Sequence, residues 1–365
     1  MKALFTKISM LAVTAAILNF NASAKIWRVN NNGNNPIPAI VSDFPSSTTL
    51  QQVNDNSSVA SGDTIHLEQS PTTYGNCIFT KRLIVIGAGY FLNLNPNTQV
   101  NNSYGTITGD LTFYNAGSAS SFVYGCQVGN VYMGVNNLTI SRCHFPAVSC
   151  LVGNNSTGNI DGMSLRQCFF SGNIGPVNMI RNNTGTGIVT NMNIYGNIIA
   201  PLQYGINLDS KVSGIFKNNV VSVYYTPITI QGFYVVNNLT YCSQGNYPNS
   251  FSNCNVEFNA GLYASHFVTG MGGTGTTYGT GNSTKTLAQM GFLGGASTDG
   301  AYQLANTSVV LGIGKDGNDL GAYAGDYPYK LSGIAPVPNI YGLTIAPITA
   351  GAATISVTVT AKGNN

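Results

Sequence analysis

What most constrains this chain is a short segment that recurs between about residues 107 and 260. An apolar residue is followed by two variable positions, then Cys or Asn, then usually more apolar residues. The pattern reads Ile140–Phe145 (ISRCHF), Leu165–Phe170 (LRQCFF), Ile194–Ile199 (IYGNII), Phe216–Val221 (FKNNVV), Val235–Thr240 (VVNNLT) and, more weakly, Val256–Asn259 (VEFN). Its Cys/Asn positions lie 25, 29, 22, 19 and 21 residues apart. A second set of β-type segments falls between them, at Val148–Asn154, Val177–Asn183, Tyr204–Ser210 and Thr226–Gly232. Two strands per unit, each too short to bury a face alone, at a period of about 24 residues, call for a stacked solenoid.

Residue chemistry then selects the kind of solenoid. Leucine-rich, ankyrin and tetratricopeptide repeats need Leu- or Ala-rich helices, and these segments carry too much Asn, Gly and β-branched residue for that. In a parallel β-helix successive coils lie about 4.8 Å apart, so equivalent residues stack. Apolar positions then form an inner core. An Asn at the same inward bend of each coil bonds its amide to the coils above and below, as in cross-β ladders. This assigns a structural ladder to Asn197, Asn219, Asn238 and Asn259. Cys143 and Cys168 join the column as small buried hydrophobes.

Only 7% of the residues are charged, with 15 Lys+Arg against 12 Asp+Glu, where an average domain has about 25%. That poverty removes coiled coils, and it removes nucleic acid as a partner, which needs a dense basic patch. Residues 1–24 read as a signal peptide: Lys2 and Lys7, an apolar stretch from Ile8 to Leu18, and an A-x-A cleavage signal at Ala22–Ala24. No later run is long and apolar enough for a transmembrane segment. The product is expected to be secreted, extracellular or at the cell surface. Seven cysteines are an odd number for an exported protein, so at least one is unpaired unless it bonds another chain. No C-x-x-C occurs, and Cys242 and Cys254 are spaced for a local bridge.

Three stretches carry a family resemblance. Thr48–Gln51 followed by Ala60–Leu67 (ASGDTIHL) resembles the entry segment of β-helix proteins, a short capping helix and then the first strand. The middle repeats resemble their coils. Asp299–Leu304 through Gly312 to Asp319–Tyr323 is similar to the closing segment of many secreted members. The chain thus resembles the right-handed parallel β-helix proteins of the pectate-lyase-like superfamily, specifically a group of secreted bacterial proteins of undefined function. The implied fold is all-β: a single-stranded right-handed parallel β-helix with a short N-terminal capping helix and a C-terminal strand or tail. The plan is a signal peptide over 1–24, the β-helix over 25–267, a Gly/Thr-rich loop and short helix over 268–298, and a closing segment with a terminal strand over 299–365. Within it, Gly270–Gly281 reads as a loop extruded from the stack. Ala353–Ala361 alternates as a strand that packs back along the helix or pairs with a partner.

The resemblance implies enzymes that mostly cut acidic polysaccharides. A lyase of that kind needs an acidic cluster for Ca²⁺ and a basic residue to remove a proton next to a carboxylate. Between residues 107 and 260 the acids are Asp110, Asp161, Asp209 and Glu257. Asp161 and Asp209 are two coils apart, about 10 Å if they share a face. Arg166, Lys217 and Glu257 share the outward column two positions before the ladder. Arg166 with Asp209 is the best lyase pair available, and Asp161 is its neighbour. A hydrolase needs close carboxylates, and the chain has no Asp-Asp pair and no His flanked by glycines. His144 reads as packing. Asp316 and Asp319 form the densest oxygen group, an Asx-type turn beside Gly317 with Ca²⁺ as the weaker alternative. Tyr124, Tyr132 and Tyr195, with Tyr224 and Tyr225, would stack on sugar rings if they point outward from one face.

The reading is therefore a secreted, non-catalytic β-helix that presents a long, nearly uncharged surface. Adhesion, matrix or envelope structure, and weak carbohydrate contact all suit it, with a polysaccharide or cell-envelope component as partner and no required cofactor. The alternative is a polysaccharide lyase or hydrolase. Ice or mineral binding would demand Thr-x-Thr rows, which the coils lack.

Overall fold

The computed structural model describes residues 24–363 apart from 33–43, 45–47, 96–97, 99–104, 154–157, 173–177, 183–186, 202, 226, 270, 296–297 and 348–353. The expected leader through Ser23 lies outside the described residues. From Thr139 the chain runs Thr139–Ser141, His144–Pro146, Cys150–Val152, then Ser164–Arg166, Phe169–Gly172, Ile180–Asn182, then Val189–Tyr195, Ile198–Pro201, Ile206–Leu208. Each trio gives one strand to each of three sheets, which hold twelve, seven and nine parallel strands. The result is a stacked, mostly β solenoid with three short α-helices among the described residues.

Stacking in register explains the core. In the twelve-stranded sheet one column runs Trp27, Ile65, Val85, Val123, Ile140, Leu165, Ile194, Phe216, Val235, Val256. All are buried in one continuous core. Each such side chain contributes about 1.5–3 kcal/mol relative to exposure. Entry to the stack is held by α1 (Leu50–Asp55), whose Thr49 and Gln52 form a capping box. The helix buries Leu50 and Val53, and its Asn54 donates to the Ile78 carbonyl at 3.3 Å, on the first strand of the nine-stranded sheet.

The corner from the twelve- to the seven-stranded sheet is a two-residue device. Asn197 donates its side-chain amide to Asn219 Oδ1 at 3.0 Å, Asn219 to Asn238 at 3.0 Å, Asn238 to Asn259 at 2.9 Å, and Asn259 to Asn282 at 3.1 Å. At the upper end the Cys168 amide donates to Asn197 Oδ1 at 2.9 Å. The residue just before each of these positions is left-handed: Arg142, Gln167, Gly196, Asn218, Asn237, Phe258 and Gly281 have φ between 53° and 77°. Asn and Gly tolerate that conformation best, which accounts for the Asn-Asn and Gly-Asn pairs.

Two segments depart from the sequence expectation. The Gly/Thr-rich stretch is not extruded: Met271–Gly272, Thr277–Tyr278 and Ser283–Thr284 add one more strand to each sheet, and Asn282 extends the ladder. α2 (Ala264–Phe267) precedes this coil, and α3 (Leu287–Met290) follows it. The terminal strand, Val357–Lys362, pairs antiparallel with Asn339–Ile345 of its own chain. Leu343, Ile345, Val357 and Val359 of this ribbon are exposed.

Between them, residues 299–335 form a strap that runs back along the stack. Its Lys315 backbone amide donates to Asn237 Oδ1 at 2.8 Å. Further along, Asn218 donates to the Gly321 carbonyl at 3.3 Å, Gln167 to the Pro328 carbonyl at 2.7 Å, and Arg142 to the Ile334 carbonyl at 2.8 Å. The strap thus bonds the left-handed corner residues one coil after another. Beneath it lies a second core. The outward column of the seven-stranded sheet, Phe169, Ile198, Val220, Leu239 and Ala260, is buried against Val310, Leu320, Ala322 and Tyr329.

All seven cysteines are buried and free, so Cys242 and Cys254 do not form the local bridge that their spacing allowed. Cys242 ends a strand of the seven-stranded sheet, with Sγ 3.1 Å from the Tyr225 carbonyl. Cys254 sits before a strand of the twelve-stranded sheet, its Sγ against the Ser252 carbonyl at 3.3 Å. Burial raises both thiols, Cys242 to about 12.

Candidate functional site

The outer face of the twelve-stranded sheet meets the edge of the strap in a cleft of about 200 Å³. Tyr195, Ile215, Lys217 and Tyr234 supply its floor from three neighbouring strands, and Lys315, Asp316 and Asn318 supply its rim from the strap. Alternation places these residues outward, because Ile194, Phe216 and Val235 between them point into the core. Asp316 is held left-handed at φ 59°.

Both lysines of this cleft are already paired. Lys315 Nζ lies 2.6 Å from Glu257 Oε1 and 2.7 Å from the Tyr234 hydroxyl, which itself donates to Glu257. Those two partners hold the Lys315 ammonium above its ordinary range, and bonds from Lys315 and Tyr234 hold Glu257 below its own. Burial, and then the Glu257 carboxylate, raise Tyr234, so its phenol keeps its proton. Lys217 pairs with Asp326 at 2.8 Å. Tyr327 of the strap stacks on Tyr195 at 5.8 Å, and the Arg166 guanidinium lies 4.4 Å from the Tyr327 ring centre. A general base needs a free lone pair near neutrality, and neither Lys315 nor Tyr234 offers one.

The suspected lyase residues are not brought together. Arg166 ends its strand and is covered by Tyr327. Asp161 precedes it by five residues, about 15 Å of extended chain. Its carboxylate is exposed and accepts from Thr190 and Asn191, both at 2.7 Å. Asp209 is exposed at the corner leading into Val212–Lys217, where it caps the Lys211 amide at 2.9 Å. The two acids share the entry edge of the sheet, and Arg166 stands at its exit edge.

Of the candidate tyrosines, Tyr124 and Tyr195 lie in one column of the twelve-stranded sheet with Ser141 and Arg166 between them. Tyr132 is elsewhere, on the nine-stranded sheet beside Tyr114. A row that the sequence did not reveal joins Tyr204, Tyr225 and Tyr247 on successive coils, at 5.6 and 5.3 Å. Their spacings of 21 and 22 residues were the available signal. Asp319 accepts from the Gly312 amide at 2.7 Å. Among the described residues no three His, Cys, Asp or Glu side chains gather where they could hold a metal ion. His144 is buried between Gln127 and Ser171, and burial brings it down to about 3. No described helix is long and apolar enough to cross a membrane. No family model, curated protein or solved structure matches the chain.

Proposed function

We propose that this is an exported protein that works by binding and scaffolding, contacting a polysaccharide or another component of the envelope or matrix through its uncharged outer face. The coil is taken as a single-stranded right-handed β-helix, the hand that parallel crossovers overwhelmingly adopt. The observation that carries the functional reading is the internal pairing of Lys315 with Glu257 and Tyr234, and of Lys217 with Asp326. A cleft whose two lysines are both already paired suits a neutral partner better than an acidic one, and Tyr195 and Tyr234 form the floor on which a sugar would lie. An acidic polymer would instead have to displace Glu257 and Asp326.

A panel of neutral and acidic polysaccharides tests this by retention on the polymer together with release of unsaturated ends. Retention of a neutral polymer is expected, weakened about 3- to 10-fold by Tyr234→Ala, the range of one aromatic contact. Product formation that Arg166→Ala abolishes would overturn the reading in favour of a lyase.

A further inference from the structure

Asp63 opens the first full coil and is 3% exposed. Its carboxylate accepts three hydrogen bonds: from the Lys25 backbone nitrogen at 2.8 Å, the Trp27 indole at 2.7 Å and the Ala60 amide at 2.9 Å. Burial pushes this carboxyl up, and the bonds from Trp27, Lys25 and Ala60, with the nearby Lys25 side-chain charge, outweigh it and leave it below the usual range. All three donors are neutral N–H groups. A carboxylate this enclosed gains more from a donor that carries a full charge.

Lys25 is also the residue that follows the A-x-A signal at Ala22–Ala24, and Ala24 is exposed. We propose that cleavage after Ala24 is a maturation step that turns the Lys25 nitrogen into an α-ammonium ion-paired with Asp63. Hydrolysis breaks the Ala24 C–Lys25 N bond. The oxygen of water goes to the Ala24 carboxylate, and the nitrogen stays in place and takes up protons. No atom of the coil has to move, because the nitrogen is already at charge-assisted distance. The new pair clamps Ile26–Val29 onto Thr64–Leu67 at the open end of the stack, where the Thr64 amide already donates to the Lys25 carbonyl at 2.9 Å. A solenoid frays from its ends, so the end is where one ion pair changes most.

The other charged groups near Asp63 are the Lys25 side chain, lying over the Trp27 ring at 3.3 Å, Lys81, bonded to the Asn56 and Val59 carbonyls, and Arg82, bonded to the Ser120 carbonyl. The clamped strand also carries His66, opposite Arg28, and burial holds its imidazole below its ordinary range, so a titration above about pH 7 belongs to the α-amino group, ordinarily at about 7.7–8.0. Ion pairing raises that value in the folded chain. The added stability is therefore complete below about pH 7.7 and is lost as the pH rises through the raised value.

The inference rests on the export reading, and the experiment separates the two. N-terminal sequencing of protein recovered outside the cells should begin at Lys25; a chain that begins elsewhere, or one retained whole, removes the premise of both. Residues 25–365 with a free Lys25 amine are then compared with the same chain extended by Ala24, each with Asp63 and with Asp63→Asn. Trp27 is the single tryptophan, so its fluorescence reports this end of the stack. At pH 7 the free amine should slow unfolding in denaturant about tenfold against the extended chain. The advantage should vanish above the raised α-amino value and be absent in Asp63→Asn. Equal unfolding of the two chains with Asp63 present, or an advantage that survives Asp63→Asn, overturns the clamp and leaves export standing. Should Asp63→Asn fail to fold, the pH dependence of the free-amine advantage decides alone: a constant advantage from pH 6 to 10 refutes the pair.

Discussion

The seven- and twelve-stranded sheets are built by the same coils and differ in what lies on their outer faces. Outside the twelve-stranded sheet the column Thr64, Ile84, Phe122, Thr139, Ser164, Asn193, Ile215, Tyr234, Asn255 mixes apolar, hydroxyl and amide groups and is largely in contact with solvent. Outside the seven-stranded sheet the column Phe169, Ile198, Val220, Leu239, Ala260 is apolar and at most 1% exposed. One face is left to solvent and to partners; the other is closed by the strap. The position of the strap therefore decides which surface of the stack a ligand can reach, and the cleft at Tyr234 lies on its border.

The largest effect should come from putting a charge under the strap. Leu239→Asp buries a carboxylate without a partner, which costs several kcal/mol, and the least costly escape is for the strap to lift. Limited proteolysis should then cut within residues 299–335 at least 100-fold faster, with the far-ultraviolet β signal retained. Ile215→Asp, at the half-exposed position facing the cleft, should cost about 1 kcal/mol or less and leave the strap protected. Equal effects at the two positions would erase the distinction between the faces.

The ladder joins the two sheets and comes next. Asn219 donates to the Ile194 and Lys217 carbonyls and to Asn238, and it accepts from the Asn197 amide. Asn219→Ala leaves buried groups on two neighbouring coils without partners and should cost about 2–4 kcal/mol in denaturant unfolding. Asn219→Cys should cost less, since the chain itself uses Cys at 143 and 168 in this column. A cost below 1 kcal/mol for the alanine variant would mean that water replaces the ladder, which its complete burial argues against.

How much of this was legible follows from which features repeat. The ladder and inner columns recur with every coil, so stacking physics could be read directly from the spacing of Asn197, Asn219, Asn238 and Asn259. Asn282 carries the same signal 23 residues after Asn259, but the glycines before it have the composition of a loop. The second core was also written in the repeat. Two consecutive large apolar residues follow three of the ladder positions, at Phe169–Phe170, Ile198–Ile199 and Val220–Val221, and adjacent strand residues face opposite sides. Both faces of that sheet therefore had to be covered. What could not be read was the cover. Gln167 meets Pro328 and Arg142 meets Ile334 across 161 and 192 residues with no periodic pattern. The Arg166–Asp209 pairing failed for a related reason: spacing tells which coil a residue occupies, while its corner depends on where each strand starts.

The smallest expected effect sharpens the comparison by removing a competing cause for the strap's position. Lys217 and Asp326 join the two regions directly at 2.8 Å, with side chains 26% and 71% exposed. A pair so open to water contributes about 0–1 kcal/mol. Lys217→Met should therefore leave proteolysis within 299–335 within about threefold of the parent, and 1 M salt, which screens such a pair beyond about 3 Å, should not release the strap. If the variant instead exposes the strap as fully as Leu239→Asp, then charge rather than apolar burial holds it down. The cleft would in that case open whenever a polyanion competed for Lys217, and an acidic polysaccharide would become the better partner.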